Sequence, residues 1–226
     1  MTCRELASCI DHTFLKAAGG VDAIDRLCAE ARRYHFACAM VNPSEVARAA
    51  DLLDGSGVRV GTVVGFPLGQ STVATKCHEA MEVVQNGASD IDFVLNIRDL
   101  RTKPSDQVLE DLSLLNVAPK KLSDDAVTKL IIECCYLTDE EKVLACRLAK
   151  KAGFDFVKTS TGFGTGGATV EDVALMRKTV GKGMGVKAAG GIRTLDDALK
   201  MLAAGANRIG CSAGVEIMNE YGAKPR

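Results

Sequence analysis

Tryptophan is absent from this sequence, and aromatic residues make up only 4% of it. A core without large aromatic side chains must be aliphatic, as in parallel sheets that are covered by helices. The formal net charge is −1, so the overall charge favours neither nucleic acid nor an anionic membrane as a partner. The sequence also lacks the long apolar run of a transmembrane helix and the N-terminal pattern of a signal peptide. We therefore expect a soluble, cytoplasmic protein.

Disulfide and zinc patterns are missing as well. The nine cysteines form no CxxC pair, and their odd number does not suit a disulfide framework. Free thiols in a reducing compartment are the simplest interpretation.

Segments typical of strands alternate with segments typical of helices along the 226 residues. The predicted strands are Ser8 to Thr13, Ala37 to Val41, Val58 to Val64, Asp90 to Leu95, Lys129 to Cys134, Phe154 to Thr159, Gly185 to Ala188 and Ala206 to Gly210. The predicted helices are Val21 to Tyr34, Ser44 to Leu53, Thr72 to Asn86, Asp106 to Val117, Asp139 to Lys151, Val170 to Val180 and Leu195 to Ala204, with a short final helix near Ala213.

Eight such units predict an α/β fold of the (β/α)₈ type, the TIM barrel. No linker-like stretch divides the chain, so we expect one domain over residues 1–226. This domain has a short lead-in at 1–7 and a tail from about 215 to 226. A doubly wound open sheet is the alternative.

Charged residues interrupt several of the apolar strands. Lys158 and Lys187 lie on neighbouring predicted strands, and Asp92 lies on the fourth. Two inward-facing lysines would repel each other, which depresses a lysine pKa and turns the amine into a nucleophile for carbonyl groups. The same three residues could equally form a purely structural ion-pair network.

Glycines gather after the last three predicted strands. They include Gly162 after the sixth strand and Gly190 and Gly191 after the seventh, while Ser212 follows the eighth. Glycine lets backbone N–H groups approach an anion closely, and barrels often bind phosphate at this place. No P-loop motif is present, so the pattern favours a small phosphate ester over a nucleotide. Alternatively, these glycines only form tight turns.

Longer motifs link the chain to a known family. It resembles the deoxyribose-phosphate aldolases, which are class I (Schiff-base) aldolases, from about Ile10 to Gly214. The matching stretches are IDHTFLK from Ile10, VNP from Val41, GTVVGFPLG from Gly61, NGASDIDFVLNI from Asn86, LTDEEKV from Leu137, FVKTSTGFGTGGATVEDV from Phe156, GVKAAGGIRT from Gly185 and RIGCSAG from Arg208.

This resemblance implies reversible cleavage of 2-deoxy-D-ribose 5-phosphate to glyceraldehyde 3-phosphate and acetaldehyde. It implies that Lys158 forms the Schiff base, that Lys187 perturbs its pKa and that Asp92 relays protons. It implies no metal and no organic cofactor. The residues that it assigns to substrate or phosphate binding are Asp11, Thr161, Gly162, Gly190, Gly191 and Ser212.

Two positions depart from the family pattern. Ala189 stands where serine is common, and Ala213 stands where a second hydroxyl residue beside Ser212 is common, so phosphate binding would depend more on backbone amides and on Ser212.

Two other functions stay open from the residues alone. One is a barrel isomerase or synthase that acts on a sugar phosphate without a covalent intermediate, and the other is a phosphosugar-binding protein without activity. We expect a small phosphosugar as partner, and a homodimer as the assembly.

Overall fold

The computed structural model describes residues 1–222 and contains a closed barrel of eight parallel strands. The strands pair in sequence order, and β1 also pairs with β8. They comprise Ile10–Thr13 (β1), Cys38–Val41 (β2), Arg59–Val64 (β3), Asp90–Val94 (β4), Val127–Ile131 (β5), Phe156–Lys158 (β6), Gly185–Ala189 (β7) and Arg208–Cys211 (β8). The predicted TIM barrel is confirmed, since an open doubly wound sheet would leave two edge strands unpaired.

Helices connect and cover the strands. They comprise Cys3–Ala7 (α1), Val21–Tyr34 (α2), Val46–Leu53 (α3), Val73–Gln85 (α4), Ile97–Thr102 (α5), Ser105–Lys120 (α6), Asp139–Lys151 (α7), Val170–Val180 (α8), Leu195–Ala203 (α9) and Gly214–Glu220 (α10). Within the described range, no helix combines the length and the apolar character needed to cross a membrane.

Both chain ends contain helix. The lead-in at 1–7 holds α1, and α10 confirms the predicted short final helix. Residues 223–226 of the predicted tail lie outside the described residues.

Most predicted elements are present with bounds shifted by one or two residues, and the larger differences concern α5, α6 and β5. Helix α5 was not predicted; Asn96 caps it, accepting a hydrogen bond of 3.2 Å from the Asp99 amide. Helix α6 extends past the predicted end and includes Pro119 in its last turn. Strand β5 ends at Ile131 rather than Cys134, and Glu133 beyond it adopts a left-handed backbone conformation.

Residues alternate along each strand between two different environments. Ile91 and Phe93 face the helices and join the main apolar core, whereas Asp92 between them faces the barrel interior. Lys187 likewise faces the interior between the core residues Val186 and Ala188. The apolar core therefore lies mainly between sheet and helices, which leaves charged side chains inside the barrel.

Threonines start several of the outer helices. The hydroxyls of Thr138, Thr169 and Thr194 accept hydrogen bonds from the amides of Glu141, Asp172 and Asp197. Each bond satisfies a backbone donor that has no partner inside its helix, and acidic residues in the first turn suit the positive end of the helix dipole.

Replacing Phe93 with alanine tests the core between sheet and helices. Phe93 is fully buried and packs edge-on against Phe154, with 5.9 Å between ring centroids. We expect Phe93→Ala to lower the free energy of unfolding by about 3–5 kcal/mol, measured by urea denaturation. Leu122→Ala is the control, because Leu122 is 46% exposed and its loss should cost less than about 0.5 kcal/mol. Equal effects of the two substitutions would contradict this assignment of the core.

Candidate active site

Lys158, Lys187 and Asp92 meet inside the barrel. The Nζ atoms of Lys158 and Lys187 each donate to Oδ2 of Asp92 over 2.8 Å. The two lysines are direct partners in the register between β6 and β7. The residues singled out from the sequence thus form one contact group, and the two amines lie on the same side of the barrel wall.

Further charged side chains surround this group. Lys187 also contacts Oδ2 of Asp11 at 2.6 Å, and Lys129 contacts Oδ1 of Asp92 at 3.1 Å as well as Asp90. Arg208 contacts Asp11 and Asp90. The result is a continuous ion-pair network across the barrel interior.

Cations outnumber carboxylates in this network. Lysines 129, 158 and 187 and the arginines 59 and 208 face only Asp11, Asp90 and Asp92. A buried charge without a partner is expensive, so the least supported cation is the first to lose its proton. Lys129 and Lys187 each contact two carboxylates, whereas Lys158 contacts one.

The pKa values of the three lysines follow the number of carboxylates that each of them contacts. Burial lowers the pKa of Lys158 to about 8; Asp92 opposes the shift, while Lys187 and Lys129 increase it. Burial also acts on Lys187, but Asp11 and Asp92 more than offset it and raise the pKa. Lys129 is raised in the same way by Asp90 and Asp92. Lys158 is therefore the amine of this network most easily obtained in its neutral form.

Asp92 remains a carboxylate. Burial alone would raise its pKa, but Lys129, Lys158 and Lys187 together hold it well below the usual range. It can therefore accept hydrogen bonds and protons, but it has no proton to give.

Asp11 does not lie free at the barrel mouth. One carboxylate oxygen contacts Lys187 at 2.6 Å, and the other accepts from Nε of Arg208 at 2.7 Å. Its position suits an electrostatic effect on Lys187 better than direct contact with a substrate.

The loops after β6 and β7 touch each other. Gly162 and Gly190 have positive φ angles of 87° and 86°, and the Ala168 amide donates to the Gly190 carbonyl over 3.0 Å. A Cβ on Gly167 would lie 2.3 Å from that carbonyl oxygen, so this contact requires glycine. Gly191 has a φ of 80° and is exposed, as is Ser212 after β8. These positions leave polar backbone groups at the mouth above β6 to β8.

Gly164 packs against a different segment from Gly167. A Cβ there would lie 3.2 Å from Cδ of Glu133 and 2.9 Å from Sγ of Cys135. Glycine at this position lets the loop after β6 pack closely against the end of β5. Thr161, on the same loop, donates from its backbone amide to Oε1 of Glu133 over 3.0 Å.

Sequence reasoning missed Lys129, Asp90 and Arg208. The signal for Lys129 was available, because a lysine in the apolar stretch TKLII is as unusual as Lys158 in its own strand. Asp90 is two residues before Asp92, and the period of two along a strand places both on the same face. No metal-binding group of three or more His, Cys, Asp or Glu side chains occurs within residues 1–222.

Comparison with known proteins adds a family relationship. Residues 6–220 match the family model described as DeoC/LacD family aldolase. A deoxyribose-phosphate aldolase of Bacteroides thetaiotaomicron is 52% identical, covering 98% of this chain and 92% of the relative. One from Carboxydothermus hydrogenoformans is 53% identical, covering 95% and 94%.

A solved structure agrees with these sequence relatives. The deoxyribose phosphate aldolase of Aeropyrum pernix, described as having a unique tetrameric structure, superimposes with a TM-score of 0.89. It is 33% identical, and the match covers 98% of this chain and 93% of that one.

Competitive labelling with trace acetic anhydride measures the pKa of Lys158 directly, since only neutral amines react. We expect Lys158 to reach half-maximal labelling near pH 8, the value to which burial lowers its pKa. Lys200 is the internal control, because its exposed ion pair with Asp196 raises its pKa. Mass spectrometry resolves the two peptides. Labelling of Lys158 and Lys200 in the same pH range would contradict the proposed difference.

Proposed function

Because this chain belongs to the DeoC/LacD aldolase family, we propose that it reversibly cleaves 2-deoxy-D-ribose 5-phosphate to D-glyceraldehyde 3-phosphate and acetaldehyde. The enzyme is a lyase of the aldolase type, and the names of its relatives supply the substrate for the proposal. The observation that carries the proposed mechanism is the sharing of one Asp92 oxygen by Lys158 and Lys187.

Lys158 acts as the nucleophile in this proposal. Its neutral amine attacks the C1 carbonyl of the open-chain sugar, and loss of water leaves a protonated imine. This cation accepts the electron pair of the C2–C3 bond as that bond breaks. The C3 hydroxyl loses its proton and becomes the aldehyde of glyceraldehyde 3-phosphate. The remaining enamine takes a proton at C2, and water then releases acetaldehyde and the free amine.

Lys187 and Asp92 handle protons as a pair. Lys187 stays an ammonium group and can donate a proton, whereas Asp92 stays a carboxylate and can accept one. Their contact over 2.8 Å allows a proton that reaches one of them to be shared with the other. Asp11 holds the second side of Lys187 and so fixes its ammonium group beside Asp92.

The mouth above β6 to β8 binds the phosphate group in this proposal. Gly162, Gly190 and Gly191 offer backbone groups, and Ser212 offers a hydroxyl. Ala189 and Ala213 contribute no hydroxyl, so backbone donors carry most of the binding. Phosphate sites at this place recur in barrels of this fold.

A lowered pKa does not by itself identify the nucleophile. Burial also lowers the pKa of Lys76 on α4 to about 8. The Nζ of Lys76 donates to the Val94 carbonyl over 2.7 Å, outside the barrel. Lys158 differs by its position among charged groups at the barrel mouth. An isomerase without a covalent intermediate would need no such neutral amine.

We also propose a cytoplasmic location and a homo-oligomeric assembly. All nine cysteines lie within the described residues and are free thiols, which supports a reducing compartment. The tetramer described for the A. pernix relative supports self-association, and a homodimer remains the prediction for this chain.

Lys158→Met tests the nucleophile. We expect no turnover and no borohydride-trapped adduct with acetaldehyde, whereas the wild-type protein should give one adduct at Lys158 by peptide mass spectrometry. Lys76→Met should keep both signals. An adduct at Lys76, or turnover in Lys158→Met, would contradict the assignment.

The same Lys158→Met variant should be more stable than the wild type at neutral pH. Folding lowers the pKa of Lys158, so its contribution to stability is complete above the unfolded value of about 10.4 and is lost as pH falls through about 8. Methionine removes the cost of burying a charged amine. We therefore expect the free energy of unfolding, measured by urea denaturation at pH 7, to increase by about 1–3 kcal/mol. At pH 10 the difference should become small, and a variant less stable than the wild type at pH 7 would contradict the sign.

Lys187→Met tests the electrostatic role of the second lysine. Without Lys187, no second ammonium group repels Lys158 beside Asp92, and Asp92 stabilises the charged form of Lys158 more strongly. The pKa of Lys158 should therefore rise. We expect the ascending limb of kcat/KM against pH to move upward by about 1–2 units, with a loss of roughly 10- to 100-fold at pH 7. Lys200→Met on α9 is the matched surface control. An unmoved limb would show that Lys187 does not influence Lys158.

A further inference from the structure

Helix α6 carries apolar side chains on its outer face. Leu114 is 53% exposed and Val117 is 45% exposed. Val108, Leu112 and Leu115 lie on the opposite side of the helix and are buried in the core. A helix that covers a barrel normally presents polar side chains to solvent, so an apolar pair in the middle of its outer face indicates a contact surface.

Two charged residues flank the apolar pair on the same face. Glu110 comes four residues before Leu114, and Lys121 comes four residues after Val117; both are exposed. Lys121 caps α6 and keeps helical backbone angles, with φ of −67° and ψ of −23°, so it continues the face. Alternate spacings of four and three residues place all four side chains in one line, as at the contact between helices of a coiled coil. These four residues form the α6 stripe.

The charges of the α6 stripe are not paired within the chain. Among residues 1–222, neither Glu110 nor Lys121 forms an ion pair, whereas the adjacent Asp111 and Lys120 each do. Glu110 and Lys121 are separated by eleven positions, which is about 16 Å along the helix. The stripe therefore offers a carboxylate at one end, an amine at the other and an apolar centre between them.

We propose that two copies of this chain pair through the α6 stripe, with their α6 helices antiparallel about a twofold axis. An axis between Leu114 and Val117 places Leu114 of each copy against Val117 of the other. The same axis places Glu110 of each copy opposite Lys121 of the other, with both residues about 8 Å from the axis. One self-complementary stripe thus forms an apolar centre with an ion pair on either side.

The order of charges selects the antiparallel arrangement. A parallel pair would place Glu110 against Glu110 and Lys121 against Lys121, and like charges that face each other oppose association. Helix α6 packs between α4 and α7, so outward residues of these two helices can extend the contact toward the roughly 800 Å² per partner that stable dimers bury. Pairing through this face specifies the proposed homo-oligomer and does not depend on the proposed aldolase chemistry.

Charge reversal at either end of the stripe tests the pairing. Glu110→Lys makes both ends positive and Lys121→Glu makes both ends negative, so each variant should repel a second copy of itself. Both ion pairs of the dimer change from attraction to repulsion, and we expect its dissociation constant in sedimentation equilibrium to rise about 10- to 100-fold. An equimolar mixture of the two variants should associate again, because unlike charges then face each other between the two chains.

A double variant separates charge pairing from local damage to the helix. Glu110→Lys combined with Lys121→Glu carries both substitutions but keeps unlike charges opposite each other, so it should associate like the wild type. Leu114→Asp should prevent association, because it places a carboxylate in the apolar centre. Glu171→Lys is the matched control and should change nothing, since Glu171 is equally exposed but lies on α8.

Two results would overturn the proposed pairing. A monomeric wild type would leave this face to solvent or to a different protein. An oligomer with the same dissociation constant in the wild type, both single reversals and Leu114→Asp would place the interface elsewhere. Borohydride trapping of acetaldehyde on Lys158 is measured in parallel and should persist in every variant, because the α6 stripe lies outside the active site. Its absence in the wild type would overturn the proposed function instead.

Discussion

One oxygen atom of Asp92 holds the amines of Lys158 and Lys187 together inside the barrel. The contact is favourable for each amine separately, but it brings two like charges close together in a buried place. The two amines differ in their other contacts. Lys187 also contacts the carboxylate of Asp11, whereas Lys158 contacts no second carboxylate within the described residues. The consequence is an amine that loses its proton easily beside an ammonium group that keeps its own, and the proposed chemistry requires both.

The barrel fold accommodates these buried charges without loss of its apolar core. Its apolar core lies between the sheet and the helices, so the interior can hold charges without losing the main hydrophobic stabilisation. The alternation along β4 shows the division, with Ile91 and Phe93 in the core and Asp92 in the interior. Backbone hydrogen bonds on both sides of every strand hold the charged groups in fixed positions.

Much of this could be predicted from the sequence. The alternation of strands and helices predicted the barrel, and Lys158, Lys187 and Asp92 were found because charged residues are unusual in apolar strands. Lys129 carried the same signal and was missed. The unequal support of the lysines could not be predicted, because it depends on which carboxylate each amine reaches across the barrel. The left-handed backbone at Glu133 was also hidden, since its strand was predicted to continue to Cys134.

The most direct test of the central claim is a titration of the three buried lysines by ¹⁵N NMR of their side-chain amines. Lys158 should lose its proton near pH 8, while Lys129 and Lys187 should remain protonated through the ordinary lysine range. Loss of the first proton from Lys187 or Lys129 would contradict the account, because the amine with two carboxylate partners would then be the weaker base.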